Sequence, residues 1–378
     1  MLNKPIKIFV LLLYIFTSLS LVSCDYKDID RRIFIVALGI DYNDTNSEEL
    51  IFSFKAALTA GSSGKGSSEI GSGQDYHIYE VKADSLANAF REVKTLTSFE
   101  PDYSHMKIIV FGQKFAENYS INSIIDFFVR RRDFQVIAYS AVAFPNAKEV
   151  LSVSPSDEYL PGNALFMKFG QGSESPYKYT AKLFQMYDRL ITPGSTPFCS
   201  VVEKKENDLY IKKVALFQDG KLKLILEQDE AKVLNILNNT SDPSSLRYNY
   251  RGASNPIGVG LNQTKTKIKF KEVTESRNIV FDINIKVAAT LEEVGIQDFN
   301  TKDLENSINR YVEEKALALL EKLKENQVDP LQLQRLYWSK TPSYELSNKW
   351  LTKEYSKVQF NVNVSVTIER SGLLKMKQ

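Results

Sequence analysis

From Val358 to Ile368 apolar and polar residues alternate without a break. Val358, Phe360, Val362, Val364, Val366 and Ile368 are separated by Gln359, Asn361, Asn363, Ser365 and Thr367. A period of two puts every apolar side chain on one face of a strand, so this segment demands a sheet with one face covered and one face wet. The cover must come from elsewhere in the chain. Thr301 to Glu325 supplies the clearest candidate, with Leu304, Ile308, Val312, Leu319 and Leu323 at helical spacing and Thr301 as a cap. A strand face and a helix stripe that need each other define a layered α+β arrangement.

The first 23 residues read differently from the rest. Lys4 and Lys7 precede an apolar block, Ile8 to Leu19, broken only by Tyr14, Thr17 and Ser18. The block is shorter than the roughly 20 residues an ordinary spanning helix needs and has the proportions of a secretory signal. It runs into Leu21-Val22-Ser23-Cys24, the order of a bacterial lipobox: an aliphatic residue, a small residue before the cut, then a cysteine whose thiol accepts a diacylglyceryl group. Cys24 is therefore the expected lipid attachment point. Removal of residues 1–23 takes away Lys4 and Lys7 and leaves basic and acidic residues equal at 46 each. Such a balance argues against a nucleic-acid partner, which would be held by a surplus of positive charge. Two acyl chains anchor a protein stably without a basic patch.

Along the mature chain, strands are expected at Ile33–Asp41, Leu50–Leu58, Tyr76–Val81, Met106–Phe111 and Phe134–Phe144. Helices are expected after a cap at Asp84 or Ser85, over Ile121–Arg132 and over about Tyr177–Leu190. Ala60 to Gln74 is dominated by Gly and Ser and reads as a flexible loop. Pro193-Gly194-Ser195-Thr196-Pro197 is the strongest candidate boundary. Beyond it come a hairpin turning at Asp219-Gly220, a helix over Glu227–Asn239, a polar loop over Ser241–Pro256, strands over Thr264–Val273 and Asn278–Leu291, and short helices at Asp329-Pro330 and Ser343–Lys353. The expected protein is multi-domain α+β, with mixed or antiparallel sheets and packed helices after an N-terminal lipoprotein signal peptide. Residues 1–23 are the removed leader and 24–195 an α/β or α+β domain with the flexible loop at 60–74. Residues 196–378 form an α+β region whose subdivision near residue 262 stays open.

Reaction chemistry finds little footing. The chain has two His, at His77 and His105, and no Gly-x-Ser-x-Gly elbow. Gly64-Lys65 lacks the first glycine of a phosphate-binding loop, because Thr59 stands there; Glu69 stands where the third glycine of a dinucleotide fingerprint belongs. Cys199, in a strand-like setting, reads as a buried inert thiol, and with Cys24 acylated no intrachain disulfide can form. The pairs Glu48-Glu49, Asp157-Glu158, Glu292-Glu293 and Glu313-Glu314 read as solvated, Arg130-Arg131-Arg132 as a charged helix end, and Tyr337-Trp338 with Trp350 as core. No catalytic residue, cofactor site or metal site is expected.

Taken in order, these pieces resemble the Ger(x)C family, the C subunits of spore germinant receptors. The likeness begins with Cys24-Asp25-Tyr26 and Ala37-Leu38-Gly39-Ile40-Asp41, and continues through Ser85-Leu86 and Ser104 to Gly112. It then takes in Ile125-Asp126-Phe127-Phe128, Asp219-Gly220-Lys221-Leu222, Leu291-Glu292-Glu293, Asp329-Pro330-Leu331, Trp350 and the closing strand to Gly372. The family usually places an aromatic nearer the lipidated cysteine, and glycines after Asp-Pro-Leu where Gln332 and Gln334 stand. The resemblance implies a non-enzymatic, lipid-anchored α+β protein on the outer face of the cell membrane or spore inner membrane. It implies two membrane-embedded partners, an A subunit and a transporter-like B subunit, that sense small nutrients. Of site residues it carries over Cys24 alone. The competing expectation is a solute-binding lipoprotein feeding a transporter, which would show two similar lobes around a cleft.

Overall fold

The computed structural model describes residues 31–57, 76–154, 164–170, 175–240, 243–250, 257–271, 279–293, 300–341 and 343–370, and a few of the first fourteen. Most of the leader, Cys24, the Gly/Ser segment 60–74 and the Asp157-Glu158 pair, all singled out in the sequence, lie outside the described residues.

Ten strands form one sheet: β1 (Arg32–Tyr42), β2 (Leu50–Ala57), β3 (Tyr76–Ala83), β4 (Glu100–Asp102), β5 (Ile108–Gly112), β6 (Tyr139–Phe144), β7 (Ala181–Lys182), β8 (Phe198–Lys205), β9 (Asp208–Gln218) and β10 (Lys221–Leu226). Its order is β10-β9-β8-β6-β5-β1-β2-β3, with β4 added to β1 and β7 to β6. The central run β8-β6-β5-β1 is parallel, and an antiparallel pair flanks it at either side. Parallel strands need both faces covered, and the apolar runs of β1 and β5 answer to that: all five residues of β5 are buried. One face packs α1 (Leu86–Leu96), α2 (Gln113–Asn118), α3 (Asn122–Arg130) and α6 (Leu183–Ile191), which contribute Phe90, Phe115, Ile125, Phe128 and Met186 to the main core. The other packs α4 (Ala147–Leu151) and α5 (Ala164–Gly170) around Val110, Ala143, Leu151 and Phe169.

β11 (Ser244–Tyr248), β12 (Ile257–Lys271), β13 (Ile279–Glu293) and β14 (Val358–Arg370) form the second sheet in that order, with β13 and β14 parallel and the other pairs antiparallel. The alternation in β14 is realised: Phe360, Val362, Val364, Val366 and Ile368 turn inward while Gln359, Asn361, Asn363, Ser365 and Thr367 are exposed. The helix α8 (Thr301–Glu325) covers that face with Leu304, Ile308, Val312, Leu319 and Leu323, and its cap is Asn300 rather than Thr301. The same helix also closes the sheet's edge. The outward N–H groups of Val364, Val366 and Ile368 donate to Glu313 Oε1 (3.1 Å), Asn309 Oδ1 (2.7 Å) and Glu305 Oε1 (2.8 Å). Four helical residues rise about 6 Å and two strand residues about 6.6 Å, so side chains at i, i+4 and i+8 meet every second strand amide. Glu313, expected to be solvated, is thus part of the fold. An uncovered edge is a template for pairing with another chain. Replacing Glu305, Asn309 and Glu313 together with Ala is expected to destabilise the protein by about 2–4 kcal/mol. Size-exclusion chromatography should then show self-association, and a fully monomeric triple variant would contradict the edge-cover role.

Two expected boundaries fall within continuous sheet, and one expected loop holds a strand. The first sheet runs past the segment 193–197, with β8, β9 and β10 continuing it as far as Leu226. Gly194, at φ +69°, turns the chain from α6 into β8, and prolines and a glycine mark such a turn as readily as a linker. Residue 262 is a bulge inside β12, where the pairing with β13 shifts between Leu261 and Gln263. The polar stretch after Ser241 contains the edge strand β11, whose single buried side chain, Leu246, is too little for a sequence pattern. The tight turn at Asp219-Gly220 stands as expected, with both residues at positive φ.

The two sheets are tied by α7 (Gln228–Leu237). Asn235, fully buried, donates to the carbonyls of Pro176 (2.8 Å) and Lys178 (3.1 Å) beside the first sheet. Just past the helix, Asn239 exchanges bonds with Thr266 of the second sheet at 2.9 and 2.6 Å. One apolar cluster runs through both sheets without interruption.

Candidate functional site

The densest polar site lies where α6 and the turn after it meet α9 (Leu333–Trp338). Asp329 is fully buried. Its Oδ1 accepts the N–H of Leu333 (3.0 Å), and its Oδ2 accepts the N–H of Gln334 (3.1 Å) and Trp350 Nε1–H (3.2 Å). The main chain of Asp329 exchanges bonds with Thr196: its N–H donates to Thr196 Oγ1 (2.8 Å), and its carbonyl accepts from Thr196 N (3.2 Å). Arg189, from α6, donates to Pro330 O (2.8 Å) and stacks over Phe198 with 4.5 Å to the ring centroid. Gly194 N donates to Asn348 Oδ1 (3.0 Å), and Gln332 Nε2 to Ser195 Oγ (3.0 Å). Burial pushes the Asp329 carboxyl up to about 6, against the pull of its three donors and of Arg189. The helix foreseen at Asp329-Pro330 begins four residues after the aspartate, whose carboxylate caps it. Gln332 takes a left-handed φ of +55°, a conformation that glycine adopts freely.

A second node joins the C-terminal ends of β1 and β5 to α4. Asp41 accepts the N–H groups of Ala147 (2.7 Å) and Lys148 (2.9 Å), the first two residues of α4. Burial raises its carboxyl, opposed by those two donors. A shallow cleft of about 490 Å³ opens there, and two of its lysines are paired, Lys148 with Glu80 at 2.6 Å and Lys114 with Asp44 at 2.8 Å. Beside the same layer, the ammonium of Lys55 donates to Leu151 O (2.7 Å) at the end of α4, and burial lowers it to about 8. Sequence reading missed Lys55, because nothing local distinguishes it from a solvated lysine.

The remaining candidates stay apart. His77 is exposed and packs edge-on to Tyr79, with centroids 4.5 Å apart; His105 is exposed and packs edge-on to Phe34 at 5.0 Å. Cys199 is buried in β8, and burial pushes its thiol up. Arg130 pairs with Asp126 (2.7 Å) and Arg131 with Asp133, so the basic helix end is partly neutralised. Trp350 is core and stacks on Tyr337 and Tyr355, whereas Trp338 is exposed. Among the described residues no group of three or more His, Cys, Asp or Glu is placed to hold a metal ion.

Both nodes join residues distant in sequence through hydrogen bonds between elements of the fold. They define a two-sheet α+β scaffold, and the comparisons with known proteins agree. Residues 25–204 match the family described as spore germination protein N-terminal domain, and residues 212–372 the family described as spore germination B3/GerAC like, C-terminal. The chain belongs to this Ger(x)C family of spore germination proteins. It is 21% identical to spore germination protein GerQC of Bacillus cereus over 96% of this chain and 98% of that one. It is 23% identical to spore germination protein B3 of Bacillus subtilis over 94% of this chain and 96% of that one. Its fold is that of the GerBC crystal structure, with a TM-score of 0.55 and 21% identity over 88% of this chain and 96% of that one. Asp41 and Gly112, and Asp329 and Trp350, belong to separate stretches of the family resemblance, and each pair meets in one node.

Proposed function

We propose that this chain is a non-enzymatic, lipid-anchored subunit of a nutrient germinant receptor, needed for spore germination in response to small nutrients. The reading is carried by the match of both family segments, in order, from residue 25 to residue 372. Acylated Cys24 holds the body on the outer face of the cell membrane or spore inner membrane, beside membrane-embedded A and B subunits. Among the described residues no helix is long and apolar enough to cross a membrane, and a tether supplies the attachment without one. Tethering raises the effective concentration of the body at its partners, so weak contacts suffice.

The test is Cys24→Ala in the native host. Each buried methylene of an acyl chain contributes about 0.8 kcal/mol, so loss of two chains moves the protein almost wholly into the soluble fraction. Nutrient-triggered germination is expected to fall with it. A variant that stays in the membrane fraction with an unchanged nutrient response would refute this assignment. The solute-binding alternative calls for two similar lobes, whereas the two sheets here differ in strand number and pairing.

A further inference from the structure

The parallel strands fix the end at which the chain enters the body. β1, β5 and β6 run the same way, and β4 starts beside β1 with Glu100 opposite Arg32. Arg32, Glu100 and the residues ahead of Tyr139 therefore share one end of the sheet. Seven residue steps separate Cys24 from Arg31. An extended chain advances at most about 3.6 Å per residue, so a lipid on Cys24 lies within about 25 Å of this end.

Large apolar side chains are exposed at the same end. Phe99 (41%) immediately precedes β4, Leu96 (53%) closes α1, and Val136 (36%) and Ile137 (56%) lead toward β6. Phe184 (45%), in the first turn of α6, donates its N–H to Val136 O at 3.0 Å. These are five of the nine exposed large hydrophobics among the described residues beyond position 14. A cleft of about 390 Å³ at this end is lined by Arg32, Phe90, Arg91, Lys94, Glu100 and Arg131, among others. Arg32 is neutralised by Asp102 at 2.6 Å and Arg131 by Asp133. Arg91, Lys94, Lys107, Arg132 and Lys182 form no ion pair among the described residues, and Glu92 and Glu100 are the unpaired acids beside them.

We propose that this end of the body rests on an anionic lipid bilayer, with the five apolar side chains in the interface and the unpaired cations against the headgroups. The core of a protein–protein interface is depleted in charge. Here the apolar tips are interspersed with Lys and Arg, the composition of a surface that lies in a membrane interface. The tethered reading under Proposed function supplies the nearness of the membrane; the surface itself is defined by the residues named.

The full chain, reconstituted on phosphatidylcholine vesicles containing about one third phosphatidylglycerol, tests this. Ile137→Trp and, as a control on α8, Leu317→Trp are placed in a Trp338→Phe background, with buried Trp350 as the internal reference. Brominated acyl chains should quench the added tryptophan fluorescence at position 137 by about twofold or more and leave position 317 unchanged, because only an indole in the interface meets the bromines. The quenching should fall in pure phosphatidylcholine; quenching indifferent to headgroup charge would overturn the anionic component. A vesicle-bound chain with no quenching at position 137 would overturn the surface and leave the tether standing, as expected if a protein covers this end. A chain that fails to join the vesicles at all would overturn both.

Discussion

Asp329→Ala is expected to cost the protein about 3–5 kcal/mol of stability, the range for removing one member of a buried, hydrogen-bonded charge cluster. Three buried donors, Leu333 N–H, Gln334 N–H and Trp350 Nε1–H, lose their acceptor together, and Arg189 loses the negative charge it faces. Relief of the buried carboxylate offsets part of this. Urea unfolding followed by tryptophan fluorescence would measure it, and a loss under about 1 kcal/mol would show the cluster to be dispensable. The pH dependence carries the opposite sign from that of most carboxylates. The folded value of about 6 exceeds the ordinary 3.8, so between those values the native state holds the proton that the unfolded state has released. The contribution of Asp329 is therefore full below the unfolded value and declines as pH rises through about 6. Asp329→Asn, which cannot ionise, should flatten the decline between about pH 4 and 6 relative to wild type. Equal slopes in the two proteins would show that the carboxyl does not titrate in that window.

Gly112→Ala should be nearly as damaging, for a steric reason. The backbone of Gly112 is ordinary, at φ −59°, but an added Cβ would stand 2.0 Å from Asp41 Oδ1. The carboxylate would have to turn away and surrender its bonds to Ala147 and Lys148. Bonds to a charged acceptor contribute about 1.5–3 kcal/mol each, so a loss of about 3 kcal/mol is expected. Because both changes break the same contact, Asp41→Ala combined with Gly112→Ala should cost little more than Asp41→Ala alone. Full additivity in that cycle would disprove the steric link.

How much could be read from the chain follows from the range of the forces involved. β14 and α8 were legible because a period of two and a helical stripe are local patterns, and the α8 bounds Thr301–Glu325 match the expectation. Ile121–Arg132 and the Asp219-Gly220 turn were legible for the same reason. α6 starts at Leu183, later than the expected Tyr177, because Ala181 and Lys182 first pair with β6, and strand pairing leaves no trace in a two-residue stretch. Ser343–Lys353 carries an apparent helical pattern but yields a π-helical turn at Trp350–Glu354, since Trp350 is drawn into the core around Tyr337 and Tyr355. The Asp329 node was the least legible. Asp-Pro announces a turn, but the partners of the residue include Thr196, which bonds its main chain from 133 positions away, and Arg189, whose charge faces its carboxylate. Only the assembled fold brings them together.

The position of β1 also bears on how the body would carry load. It lies inside the first sheet, between β2 on one side and β4 and β5 on the other, and the chain from Cys24 enters at its first residues. Tension drawn through that entry acts along the strand axis and strains the ladders on both flanks at once, in shear. A strand at the sheet margin would instead peel away one rung at a time. In the tethered arrangement proposed above, a pull from the bilayer would load an interior strand of the larger sheet, and the body would move as a unit before it unravelled.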